Sequence, residues 1–160
     1  MDAISFSVMT DLEHRDDVVA MMRSLYEEDR GDFEVDPSRF ESGIEHLIKH
    51  PSVGKIILFC EGNAVRGYAL LVPYWSNEFG GTLLFVDELF VVPVHRGRGI
   101  GRSLFRYLER KRQFRPVALG LAVNPGNCRA RRLYESLGFT ELRITTFLRR
   151  IPKAASHCCK

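Results

Sequence analysis

Residues 96–101 are Arg-Gly-Arg-Gly-Ile-Gly, a run whose chemistry lies in its backbone. It falls between an apolar strand pattern, Leu83 to Val92, and a helical one, in which Ile100, Leu104, Phe105 and Leu108 recur on one face. Glycines at a strand-to-helix turn leave N–H groups bare and let a ligand approach closely. The helix that follows adds its own unpaired N–H groups and its positive dipole end. Together they make a cradle for a phosphate-bearing ligand. The spacing is not Gly-x-Gly-x-x-Gly, which argues against a dinucleotide fold, and no Gly-Lys-Ser or Gly-Lys-Thr follows, so it is not a P-loop.

The elements that must position this turn are legible along the chain. Ala3 to Met9 is patterned as a strand. Asp11 to Asp29 is a helix with Val18, Met21, Met22 and Leu25 inward, and a second helix starts at Asp36–Ser38 with Phe40, Ile44, Leu47 and Ile48 inward. Lys55 to Cys60 and Val65 to Trp75 form a hairpin about Glu61-Gly62-Asn63. Thr82 to Val92 is the next strand, stopped by Pro93, and a helix runs from the glycine turn to about Phe114. Val117 to Val123 is a short buried strand. Asn127 opens a helix with Ala130, Leu133, Tyr134 and Leu137 inward, capped by Gly138, and Phe139 to Ile151 is a last strand. The order is β-α-α-β-β-β-α-β-α-β, a mixed α/β sheet with flanking helices.

Bulk properties narrow the class. The chain has 160 residues, 45% hydrophobic and 27% charged, which suits one domain over residues 1–152 with a disordered tail at 153–160. A net charge of +3 is small for a nucleic-acid binder, and the basic cluster Arg106, Arg110, Lys111, Arg112 and Arg115 reads as a solvated helix face. No apolar run reaches membrane-span length, and the N-terminus lacks a signal-peptide pattern, so a cytoplasmic protein is expected. Cys60, Cys128, Cys158 and Cys159 match no zinc spacing and read as reduced thiols, with Cys128 a small core residue. No metal site is expected.

The order of elements, together with two blocks of sequence, resembles the GNAT acyltransferase superfamily over nearly the whole chain. The first block runs from Asp87 to Gly101, where the family's cofactor signature falls on Arg96, Gly99 and Gly101. The second runs from Asn124 and Asn127 to Leu133-Tyr134-Glu135-Ser136-Leu137-Gly138-Phe139. The resemblance implies a mostly antiparallel sheet whose fourth and fifth strands splay apart, acetyl-CoA as cosubstrate, and N-acetyl transfer to a primary amine by direct attack in a ternary complex. Main-chain donors of Gly97, Arg98, Gly99, Ile100, Gly101 and Arg102 would hold the diphosphate. The edge at Leu89 and Val91 would pair with the pantetheine arm, with one N–H near Leu89 or Phe90 facing the thioester oxygen. Asn127 would cap its helix and also meet that arm.

Three side chains are then candidates for proton handling. Tyr134 matches the family tyrosine that meets the cofactor sulfur and would act as general acid. Asp87 and Glu88 are both candidates for the base that relieves the amine of its proton; adjacent strand residues point to opposite faces, and a bulge would change which of them faces the cleft. The acceptor walls would carry Tyr26, Glu27, Glu28, Asp29, Asp32, Phe33, Glu34, Tyr74, Trp75, Glu78 and Phe79, an acid and aromatic set that suits an ammonium-bearing small molecule. No nucleic-acid or membrane partner is expected, and the resemblance admits a homodimer. A non-catalytic acyl-CoA-binding module or sensor is the alternative.

Overall fold

A computed structural model describes residues 3–29, 34–111, 114–149 and 151. Five strands form one sheet in the order β1-β2-β3-β4-β5: β1 (Ser5–Val8), β2 (Lys55–Glu61), β3 (Ala64–Ser76), β4 (Gly81–Val91) and β5 (Ala118–Leu121). The first four pair antiparallel, and β4 and β5 pair parallel. Helices α1 (Arg15–Glu28) and α2 (Ser38–Lys49) cover one face, and α3 (Ile100–Arg110) and α4 (Cys128–Glu135) flank the other. Among the described residues no helix is long and apolar enough to cross a membrane.

Period-2 patterning divides the core between the two faces. Ile56, Leu58, Tyr68 and Phe90 meet Val18, Met22 and Ile44 on the α1/α2 side. Ile57, Phe59, Ala69, Leu71, Leu84 and Val86 meet Ile100, Leu104, Phe105 and Leu108 on the α3 side. The predicted inward face of α3 is fully buried, whereas the inward residues of α4 are only half-buried. Each fully buried Leu or Ile contributes roughly 1.5–3 kcal/mol relative to exposure, so α3 is the better anchored of the two.

Several boundaries differ from the sequence pattern. The first helix starts at Arg15 because Asp11 accepts a hydrogen bond from the Glu13 amide, an Asx turn that holds those residues outside the helix. The third helix ends at Arg110, before the expected Phe114. The expected last strand is not in the sheet: residues 139–149 join no ladder. The expected tail at 153–160 lies outside the described residues.

Candidate active site

The parallel ladder between β4 and β5 is short. It joins Leu83 to Ala118 and ends where Val86 meets Leu121. Beyond Val86 the two strands part, and a groove of about 1140 Å³ opens between them, extending to the head of α3 and to α4. All the sequence-predicted site residues except Arg98 line it.

A bulge in β4 sits at the mouth of the split. Leu70 of β3 pairs with Glu88 and Leu71 with Val86, which leaves Asp87 as the extra residue. One inserted residue reverses the alternation of everything after it. Leu84 and Val86 face the α3 side, whereas Glu88 and Phe90 are on the α1/α2 side. The bulge therefore answers the question of which carboxylate faces the cleft, since Asp87 and Glu88 both line it.

Glu88 is locked. Tyr26 of α1 donates its hydroxyl to Oε1 at 2.8 Å, and Tyr68 of β3 donates to Oε2 at 2.7 Å. Burial raises the Glu88 pKa above the ordinary carboxylate range and the neighbouring Asp87 adds to the rise, while the two tyrosine hydrogen bonds oppose it. Burial also raises Asp87. Burial and then the Glu88 charge push both tyrosine hydroxyls far above their usual range, so they remain donors at any working pH. No basic side chain among the described residues pairs with Glu88, leaving its charge to face the groove.

At the other end, Gly97 and Gly99 adopt φ of +81° and +78°, a conformation glycine takes without strain. Arg96 N–H bonds Pro93, and the next bonded amide is that of Ser103, which donates to Gly99. The N–H groups from Gly97 to Arg102 make no hydrogen bond within the described residues. A Cβ on Gly99 would enter open space, and one on Gly101 would come 2.9 Å from Leu133 Cδ2. Gly99 thus shapes the turn, and Gly101 lets α3 and α4 approach. The cradle fits a diphosphate: its donors are bare, and it stands at a helix N-terminus.

The side chains around the cradle serve other ends. Arg96 donates Nε to Val91 O at 2.7 Å, pairs with Glu28 at 2.8 Å and lies over the Phe90 ring. It ties α1 to β4. Arg102 donates to Ser136 Oγ at 2.6 Å, and Ile100 is buried in the core. His95, just before the cradle, is buried beside Arg98 and Glu61 and borders the groove. Arg129 of α4 brings a guanidinium nitrogen to 3.7 Å from where a Gly97 Cβ would lie, a cation the sequence pattern did not single out.

Alternation orients the free edge of β4. Val92 N–H bonds Arg66 of β3, so the Val91 and Leu89 main chains turn toward the split and that of Phe90 toward β3. Asn127 caps α4 by accepting from the Ala130 amide at 3.1 Å, and Asn124 donates to Asp29 across the groove. Tyr134 packs edge-on to Phe105 and Phe139, and its hydroxyl makes no hydrogen bond among the described residues. Burial, with a contribution from Asp29, pushes its pKa up to about 12.

Cys128, expected in the core, is exposed at the first turn of α4, on neither the groove nor the sheet side. Of the expected acceptor walls, Tyr26, Glu28 and Asp29 line the groove. Tyr74, Trp75 and Phe79 sit exposed at the far end of the β3–β4 hairpin, and Asp32 and Phe33 lie outside the described residues.

A split parallel pair, a β4 bulge and a glycine cradle at a helix head define an acyl-CoA-binding class of site, and sequence comparison agrees. Residues 18–139 match the family model for the acetyltransferase (GNAT) family, and the chain belongs to that family. A mycothiol acetyltransferase from Kineococcus radiotolerans is 32% identical over 118 residues, 65% of this chain; the match covers 35% of that relative's length. Among solved structures, a possible acetyltransferase from Clostridium difficile 630 superposes with a TM-score of 0.79 at 22% identity, covering 94% of this chain and 99% of that one. The aminoglycoside N-acetyltransferase AAC(6')-Iy, in complex with CoA, superposes at 0.76 with 16% identity, covering 94% and 96%. These likenesses fix the fold.

Proposed function

We propose that this protein is an N-acetyltransferase that moves the acetyl group of acetyl-CoA to the primary amine of a small molecule by direct attack in a ternary complex. One observation carries the reading: a single groove joins the bare N–H groups at the head of α3 to an ionisable pair on the β4 bulge. Bound acetyl-CoA would supply an activated acyl thioester. The amides of Gly97 to Arg102, with Arg129 beside them, hold the diphosphate. Leu89 and Val91 present main-chain groups to the pantetheine arm, and Asn127 stands next to it. The Leu89 N–H is the donor for the thioester oxygen, an interaction commonly worth about a hundred- to a thousand-fold in rate.

An alkylamine with pKa ≈ 10.4 arrives mostly as ammonium. Glu88, negative and without a cationic partner, attracts it. Glu88 would accept, directly or through water, the proton the ammonium must lose before its nitrogen has a lone pair with which to attack, and Asp87 strengthens the negative field. Tyr134 lines the groove, and its hydroxyl would be the donor to the departing sulfur. With a pKa of about 12, it would yield that proton to a thiolate of ≈ 8.5 only at a cost of about 5 kcal/mol. Tyr134 therefore acts by hydrogen-bond donation, the weaker form of the general-acid role.

The acceptor reading rests on the acidic and aromatic wall of Tyr26, Glu28 and Asp29. The free thiols of Cys60 and Cys128 support a cytoplasmic setting. Thiol release from acetyl-CoA against a panel of polyamines, aminoglycosides, amino sugars and peptides tests the proposal. Amine-dependent release is expected. Saturable coenzyme binding without release on any acceptor would instead make the protein a non-catalytic acyl-CoA module.

A further inference from the structure

The aromatic residues that the groove leaves out are gathered at one tip. Tyr74, Trp75 and Phe79, expected on the acceptor wall, surround the turn between β3 and β4 and are 49%, 66% and 55% exposed. Val117, also exposed, joins them. Its N–H bonds the carbonyl of Thr82, the ladder partner of Trp75, and its side chain sits over Gly81. The Trp75 ring is held in place: its Nε1 donates to Asn77 Oδ1 at 3.0 Å across the turn. The one polar group of the indole is thus used inside the hairpin, and what the ring shows to solvent is apolar. Single exposed apolar residues are ordinary, but a group of them on one projecting turn marks a contact surface.

Cations flank this tip. Lys55 stands over the Phe114 ring at 5.1 Å, the Phe114 N–H bonds Lys111 O, and Arg115 lies two residues before Val117. None of the three pairs with a carboxylate among the described residues. Glu78 is the one acid of the turn. The charge therefore calls for an anionic partner. Apolar side chains on a turn make a protrusion rather than a pocket. An acidic protein would match the cations but would need a cavity of its own for the tip, whereas the boundary of a bilayer yields to it. There Trp and Tyr rings settle at headgroup level, and Lys and Arg meet anionic lipid. Lying on such a surface needs no spanning helix.

We propose that the β3–β4 tip docks this protein on an anionic membrane surface, with Tyr74, Trp75, Phe79 and Val117 entering the interface and Lys55, Lys111 and Arg115 meeting the headgroups. None of these residues lines the groove. β4 starts at the tip, at Gly81, and reaches the groove only at Val86, five residues or roughly 17 Å along the strand. The docked protein therefore keeps its groove clear of the lipid and open to coenzyme.

Trp75 is the only tryptophan of the chain, so its fluorescence reports the contact directly. The full chain is expected to sediment with vesicles of mixed phosphatidylserine and phosphatidylcholine, its emission shifted to the blue and quenched by brominated acyl chains. Vesicles of phosphatidylcholine alone should bind it roughly tenfold less, and high salt should release it. Phe79→Ala, which keeps the reporter, is expected to weaken binding roughly tenfold. Lys111→Ala should weaken it roughly fivefold, and Glu78→Gln should strengthen it by a similar factor. All three variants should keep the far-UV spectrum and the affinity for coenzyme A. Failure to bind any vesicle would overturn the proposal, as would sedimentation that leaves the Trp75 emission unchanged. Equal binding to neutral and anionic vesicles would overturn it too. Capture by polyglutamate without binding to vesicles would give the tip to an acidic macromolecule instead and overturn it as well.

Discussion

The two ends of the groove work by opposite means. At the β4 bulge the chemistry is in side chains: Glu88 is aimed by Tyr26 and Tyr68, one hydroxyl on each carboxylate oxygen. At the head of α3 it is in the main chain, and the flanking side chains are turned to structural tasks, Arg96 to Glu28 and Arg102 to Ser136. A side-chain site should respond sharply to isosteric substitution. A main-chain site should ignore most substitutions and fail only where a glycine is lost. The contrast separates catalysis from holding.

Glu88→Gln is the strongest test of the first half. It keeps the shape and can still bond both tyrosines, so stability should change little. Turnover should fall by about 10²–10⁴ while coenzyme affinity stays level, as steady-state rates and calorimetry would show. An undiminished rate would pass the base role to Asp87 or to solvent. Gly99→Val is the counterpart. A β-branched residue at φ +78° strains the turn, and its bulk enters the space before the bare amides. Coenzyme affinity should drop by at least ~30-fold, about 2 kcal/mol, with the melting temperature only modestly lowered. Arg98→Ala, in the same turn, should leave affinity within about threefold, because it keeps the main-chain amide and removes only a side chain turned to His95.

Tyr134→Phe should act on turnover alone, by about tenfold, the size of one hydrogen bond to a developing charge. An equal loss in coenzyme affinity would mark Tyr134 as a packing residue. The smallest effect is in pH. Glu88 is raised by burial, so kcat/KM should climb as pH rises through a pKa above the ordinary carboxylate value. Tyr134, at about 12, should impose no fall in the neutral range. Tyr68→Phe removes a hydrogen bond that favours the charged form, so the rising limb should move to higher pH. Stability has the opposite sign. Between the ordinary and the raised pKa the folded chain binds more protons than the unfolded one, so stability falls as pH rises through that window.

The same contrast explains how much was legible in the sequence. The cradle could be read because its signal is local: three glycines at a strand-to-helix turn need no tertiary partner to be recognised. The α3 face, Ile100, Leu104, Phe105 and Leu108, was legible for the same reason. The Glu88 cluster was not. It depends on a one-residue slip between Leu70 and Leu71 of β3 and their β4 partners, and pairing register leaves no trace in either strand alone. Tyr68 therefore read as one more strand residue, and Tyr26 as part of an acceptor wall. Residues 139–151 carried a true strand pattern, but a pattern states what a segment can pair with and not where the partner lies. Cys128 misled because the first residue of α4 is exposed, and a small apolar residue at a helix start carries no signal of which side it faces.

The account depends most on the backbone amides of the cradle, and they can be observed one by one. In a titration of the isotope-labelled protein with coenzyme A, the amide resonances of Gly97 to Arg102 should shift most and saturate together, with Leu89 following and β1 unmoved. A titration in which those amides stay still while the coenzyme binds elsewhere, or does not bind at all, would contradict it.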